Sequence, residues 1–273
     1  MLKKALFVLP ALALALASKP AQAQEIQLTG PLAGAPAVRK MRLHREGRIE
    51  VAPTVSFSLL DEYRRTILAG ARVQYNVNEW LGVGVWGAFG AVQIDTDLTD
   101  QIDKNAQRNI PQTQTNLRPT DFSKQVSKMD WVAAPQVQLV PFRGKIAMFE
   151  KLFVDTDAYI HLGVAAVGLQ ERGDCNTPAN CSAPGSFDLK SRVALAPTFG
   201  LGLNFYTSDH ISVGVEYRAL PFSWNRAGFD TRGTGPDNNS PDGKINSDDQ
   251  TFKFNQMVSL SVGILLGEKK VSE

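Results

Sequence analysis

Between Leu81 and Val92 the chain runs LGVGVWGAFGAV, with Leu81, Val83, Val85 and Phe89 alternating with Gly82, Gly84, Ala88, Gly90 and a single Trp86. A period of two places successive side chains on opposite faces of a β-strand, so one face is bulky and apolar and the other almost bare. A soluble sandwich sets polar residues opposite its core face instead. Seven further runs share the period. Arg48 to Leu59 opposes Ile49, Val51, Val55, Phe57 and Leu59 to Arg48, Glu50, Thr54, Ser56 and Ser58. Thr66 to Val77 opposes Ile67, Val73 and Tyr75 to Thr66, Arg72, Gln74 and Asn76; Asp130 to Pro141 opposes Trp131, Val137 and Leu139 to Asp130, Gln136 and Gln138. From Val154 to Gly168, Ile160, Leu162 and Val164 oppose Asp155, Asp157, Tyr159 and His161. Leu189 to Phe205 opposes Val193, Leu195, Phe199 and Leu201 to Lys190, Arg192, Thr198 and Asn204. The last two runs set Ile211, Val213, Val215 and Tyr217 against Ser212, Glu216 and Arg218, and Phe252, Phe254, Leu260, Val262 and Ile264 against Lys253, Asn255, Ser259 and Ser261.

Most of these runs exceed ten residues, where soluble strands average about five or six. The connections alternate in length. VNEW, YTSD and PFRGKIAMFEKLF are short or modest, whereas Gln93 to Met129, Gln170 to Asp188 and Phe222 to Gln250 are long and polar; only the first hairpin, at Leu60-Asp61-Glu62, is short on the long-loop side. Short turns on one rim and long loops on the other predict an outer-membrane barrel. The expected fold is therefore all-β: an eight-stranded antiparallel transmembrane β-barrel with both termini on the periplasmic side. Its bulky faces meet lipid, and Trp86, Arg192, Glu216 and Arg218 fill a lumen that eight strands leave only wide enough for side chains. Aromatic residues near strand ends (Trp80, Trp131, Tyr217, Phe222, Phe252) are expected to form interfacial girdles. The competing reading is a secreted β-sandwich. Pro53, Pro135 and Pro197 fall on outward faces inside strands, where each removes a ladder donor.

The N-terminus sets the compartment. Lys3 and Lys4, an apolar stretch from Ala5 to Ala17 and Ala21-Gln22-Ala23 have the plan of a secretory signal peptide cut after Ala23. Residues 24–46 are then a periplasmic segment, 47–266 the barrel and 267–273 a periplasmic tail. Of 29 basic residues the leader removes Lys3, Lys4 and Lys19, leaving 26 against 27 acidic ones. So even a balance offers no electrostatic case for nucleic acid. Mean hydropathy is −0.15, as in a soluble protein, but barrel strands give a weak hydropathy signal.

Candidate chemistry is sparse. His44, His161 and His210 have no metal-ligand spacing, and neither a G-x-S-x-G elbow nor a phosphate loop is present. Asp155, Asp157 and His161 share a strand face; they form either an acid-base set or lumen groups paired with Lys190, Arg192 or Arg218. Cys175 and Cys181 are the only cysteines; an oxidising compartment predicts a disulfide between them. In DNNSPDGKINSDD, Asn238, Ser240, Asp242, Lys244, Asn246 and Asp249 occupy the ligand positions of a calcium loop around Gly243. Asn at the first position and Asp at the last weaken that pattern, and a turn-rich solvated loop has the same composition.

The segments VRKMRLHREGRIEVAPTVSF, ARVQYNVNEWLGVGV and PFRGK…FEKLFVDTDAYIHLGVA resemble the outer-membrane β-barrel domain family abundant in myxobacteria, from about Val38 to Leu266. Some of that family are similar to barrels of the adventurous gliding machinery. The resemblance implies a non-enzymatic component of a cell-envelope assembly in the outer membrane of a Gram-negative bacterium. Its partners would be outer-membrane lipid and other envelope proteins, met through the long loops or the periplasmic segment. Many outer-membrane barrels end on an aromatic residue, whereas GEKKVSE follows the last strand here. The alternatives are a small outer-membrane pore and, more distantly, a hydrolase or acyltransferase.

Overall fold

The computed structural model describes residues 43–105, 122–148, 152–173, 188–242 and 244–267. The leader, most of residues 24–46, the tail 268–273 and the Cys175–Cys181 pair lie outside the described residues. Eight strands form a closed ring: β1 (Ile49–Leu59), β2 (Arg64–Asn76), β3 (Leu81–Asp95), β4 (Lys128–Met148), β5 (Leu152–Gly173), β6 (Asp188–Tyr206), β7 (Ile211–Trp224) and β10 (Thr251–Leu266). Each is antiparallel to the next in sequence, and β10 returns to β1 from Ile49↔Leu266 to Leu59↔Gln256. A two-stranded ribbon, β8 (Gly233–Thr234) with β9 (Ser240–Pro241), lies in the loop between β7 and β10.

The alternation along each strand separates two environments. In β3, Phe89 is 59% exposed on the outside while Trp86 is 1% exposed in the lumen. The same parity sets Ile160, Leu162 and Val164 outward on β5, and Tyr159 and His161 inward. The bare face of β3 is thereby explained: small inward residues leave room for large ones on neighbouring strands. β6 shows the same pairing. Tyr159 of β5 lies across Gly202, so closely that a Cβ at Gly202 would strike the phenol ring. Trp80, Trp131 and Phe252 are exposed as expected of girdle residues, but Phe222 points inward and is 4% exposed.

Three departures from the sequence reading have local causes. Pro141–Phe153, read as a connection, is mostly strand, with Phe142 to Met148 paired against Leu152 to Ala158. The register shifts between Leu139 and Phe142, leaving Pro141 and Phe142 both exposed. Such a bulge breaks the period of two that sequence reading relies on. The long β3–β4 loop begins with helix α1 (Asp97–Asn105), with Asp97 and Asp100 in its first turn and Lys104 in its last, a charge order that suits the helix dipole. A second short helix, α2 (Phe122–Gln125), precedes β4.

The prolines are accommodated by lapses in pairing rather than by bulges. Pro53 pairs with Ala71 on β2, yet the β1–β10 ladder skips Ala52 and Pro53 with no change of register. Pro135 pairs with Val85 on β3 while the β4–β5 ladder skips it in the same way. At Pro197 the consequence is larger. β6 and β7 pair from Tyr206↔Ser212 to Phe199↔Ala219, and two more steps of that register set Pro197 opposite Pro221. With no N–H on either residue the ladder stops, although β6 continues to Asp188 and β7 to Trp224. The upper parts of these strands flank a seam in the wall.

Gly202→Leu should displace Tyr159 and destabilise the barrel by about 1–3 kcal/mol, the usual range for overpacking. The check is the urea midpoint of refolded protein in lipid vesicles, compared with Gly144→Ala. A Cβ at Gly144 has open space around it, and that variant should unfold like wild type.

Candidate functional site

The lumen is filled, and its middle is ionic. Arg72 bonds Glu50 at 3.1 Å and Glu216 at 3.2 Å, and Arg218 bonds Glu216 at 2.7 Å. All four side chains are at most 6% exposed. The Tyr159 hydroxyl donates to Glu216 at 2.9 Å and accepts from Arg72 at 2.7 Å. Ser212 donates to Glu50, and Arg218 donates to Thr198 and Gln136. The Arg218 guanidinium lies 4.3 Å from the Trp86 ring centroid, an attractive cation–π contact. Charges so far from water require such partners, because an unpaired buried ion costs several kcal/mol. Toward the long-loop end the lumen turns apolar, with Leu68, Met129, Leu169, Leu220, Phe222 and Trp224 in one buried cluster.

The short-turn mouth is closed by the chain itself. Residues Leu43 to Arg48 fold back beneath the strands rather than trailing away. Arg45 is 1% exposed and bonds Asp157 at 3.2 Å, the Tyr206 hydroxyl at 3.2 Å and the Glu79 carbonyl at 3.0 Å. The Glu79 carboxylate accepts the Arg45 N–H, contacts His44 and pairs with Arg143 at 2.6 Å. Arg48 donates to the carbonyls of Asp209 and Leu265. Burial disfavours ionisation of Glu79, but Arg143, the Glu46 and Arg45 N–H groups and His44 outweigh it and hold its pKa below the ordinary 4.5. A depressed carboxylate pKa adds stability that is complete above the unfolded value and lost as pH falls through the folded one. This latch therefore holds at neutral pH and weakens only in acid below about 4.5.

The opposite mouth is closed by three loops. Phe122 is fully buried, stacked on Phe229 and edge-on to Tyr63. Gln125 donates to the Ala227 carbonyl and Ser127 to that of Asn225. Arg226 pairs with Asp61, donates to the Arg64 carbonyl at 2.6 Å and lies over the Trp224 ring. Helix α1 is docked through Thr99, whose hydroxyl donates to the Tyr63 carbonyl at 2.6 Å.

The residues singled out in sequence are dispersed by the fold. His44 is at one mouth, His161 in the lumen 3.7 Å from Glu216, and His210 in the β6–β7 turn. Asp157 pairs with Arg45 and Arg143, not with Lys190, Arg192 or Arg218. Arg192, expected in the lumen, sits at the rim on Glu171 at 2.5 Å. Within the proposed calcium loop, Asp249 accepts the N–H groups of Thr231, Arg232 and Asn246. Asn246 accepts from Asp248 and Asp242 from Lys244. Asn238 and Ser240 lie on the ribbon's turn and β9. Among the described residues no three His, Cys, Asp or Glu side chains gather as a metal site. Sequence reading missed Arg45, Glu79 and Arg226, because only long-range contacts give them roles.

No family model matches the chain, and no curated protein does. Among solved structures it is similar to the N-terminal β-barrel domain of Pseudomonas aeruginosa OprF (TM-score 0.43, 7% identity, covering 81% of this chain and 98% of that one). It is also similar to Ail, the attachment invasion locus protein of Yersinia pestis (TM-score 0.34, 12% identity, 81% and 99% covered). A third likeness is to the outer membrane protein AlkL in DMPC bilayers (TM-score 0.34, 17% identity, 86% and 97% covered). Likeness of this degree carries no functional argument.

Two outcomes follow from the geometry. Glu216→Ala leaves Arg72 and Arg218 without their shared partner and should destabilise the barrel by about 3–5 kcal/mol, read as a lower urea midpoint. Glu79→Gln should expose the peptide bond after Arg45 to trypsin severalfold faster than in wild type at pH 8, while the barrel still assembles and stays heat-modifiable. Equal cleavage would mean that the latch does not depend on Glu79.

Proposed function

We propose that this chain is a non-enzymatic outer-membrane β-barrel that serves as a structural and interaction component of a cell-envelope assembly. The observation that carries this reading is the lumen, occupied by paired side chains in its middle and closed at both mouths. A barrel of this kind transmits nothing of porin size and works through its rims and its lipid-facing wall. The apolar exterior supports the membrane setting, and the alternation of short turns and long loops supports the outer membrane. In this reading residues 1–23 are a leader and residues 24–46 a periplasmic segment, with Arg45 and Arg48 anchoring the chain at the periplasmic mouth. Cys175 and Cys181 form a disulfide in the outer loop between β5 and β6. The resemblance to gliding-machinery barrels supports the finer assignment to a motility assembly.

The protein should fractionate with outer membranes and migrate faster on gels when unheated than when boiled. In planar bilayers it should show no stable openings of porin size; such openings would establish the pore reading instead. Replacing residues 106–121 with a glycine-serine linker spares Thr99 and Phe122. That variant should remain heat-modifiable while co-purifying envelope proteins fall below wild-type levels. Undiminished co-purification would move the binding surface to the periplasmic side.

A further inference from the structure

Above the point where Pro197 and Pro221 end the β6–β7 ladder, the rim holds a cavity of about 440 Å³. Its charged lining is Glu171, Arg172, Lys190, Arg192 and Lys244, four cations against one carboxylate. The Glu171 carboxylate is already engaged by Arg192 at 2.5 Å and by the Asn225 N–H at 2.8 Å. Arg172 is held by Gln125 and the Gly228 carbonyl, inside the loop lid. Lys190 and Lys244 are exposed, and among the described residues neither has a carboxylate partner. Among the described residues, Lys190 and Lys244 therefore give the cavity positive charge that no ion pair offsets.

Directly below it the wall changes character. The β6 edge from Asp188 to Pro197 has no ladder partner on β7. Outward along it stand Val193 and Leu195, the latter 75% exposed. Inward stand Ala194 and Ala196, small residues packed in the apolar cluster of Leu220, Phe222 and Trp224. At about 3.3 Å per residue, Leu195 lies roughly 17 Å along the strand from Lys190, within reach of a long hydrocarbon chain. A basic pocket stacked on an apolar, unpaired edge is complementary to one kind of molecule.

We propose that the cavity and the seam together bind a single-chain anionic amphiphile from the outer leaflet. Its carboxylate or phosphate rests between Lys190 and Lys244, and its hydrocarbon chain lies against Val193 and Leu195 along the β6 edge. The ladder lapses at Pro197 and Pro221, and β7 ends at Trp224, so this edge has no strand pairing to displace. Neither the closed lumen nor an assembly role requires such a site, so it stands or falls separately from them.

The test uses the full-length protein in a non-ionic detergent, titrated with a long-chain fatty acid, with a lysophosphatidylcholine of equal chain length, and with inorganic phosphate. The fatty acid should bind saturably and about tenfold or more tighter than the zwitterionic lipid, a difference of ~1.4 kcal/mol or more. The double variant Lys190→Glu, Lys244→Glu should abolish that preference while keeping heat-modifiability. Leu195→Asn should weaken both lipids. Equal affinity for the two lipids, or a preference that survives the double variant, overturns the proposal. So does phosphate competing as well as the fatty acid, since that describes a free-anion site with no role for the seam.

Discussion

In a bilayer every main-chain N–H and C=O must find a partner within the protein, because lipid offers none. The pairing of β1 with β10 meets that demand by abolishing both sheet edges. With eight strands the resulting ring is narrow, and the interior then has to be filled by side chains without collisions. Glycines on one strand consequently face tyrosine or glutamine on the next, as Gly202 does Tyr159 and Gly82 does Gln74. The wall's closure dictates the composition of its lining.

What fills the ring is charged in the middle and apolar toward the long loops. Arg72, Arg218, Glu50 and Glu216 balance one another, so the ionic core carries no net charge. Buried ion pairs of this kind contribute little net stability compared with well-packed apolar residues. Their value here is specificity of register: a one-residue slip would turn every inward side chain out to the lipid. The mouths repeat the logic with main-chain carbonyls, through Arg45 and Arg48 at one end and Arg172 and Arg226 at the other. A filled lumen leaves function to the rims and to the wall, whose longest lapse in pairing among the described residues lies between β6 and β7.

The architecture was legible because period-two alternation is a local signal. Leu81 to Val92 announces its two faces without reference to any other strand, and eight such runs with alternating connections imply a closed ring. Residues whose meaning depends on register were not legible. Pro197 is visible in the sequence as a missing donor inside a strand, but only the register set by Phe199↔Ala219 brings it face to face with Pro221. Arg192 shares the parity of lumen residues but lies above the last β6–β7 pair, where inward means the rim cavity. The hairpin from Pro141 to Phe153 was hidden by a bulge that broke the alternation. Asp249 has the spacing of a calcium ligand, whereas its partners in the fold are three main-chain N–H groups.

The central claim is that a closed wall surrounds a lumen packed tightly enough to exclude exchanging water from its ionic core. Hydrogen–deuterium exchange in lipid bilayers, followed by solid-state NMR at the Arg72 and Arg218 guanidinium groups and the Trp86 indole, addresses it directly. The account predicts that these protons persist long after those of exposed side chains such as Lys244 have exchanged. Exchange at Arg72 and Arg218 as fast as at exposed arginines would mean an open, hydrated lumen, and would contradict it.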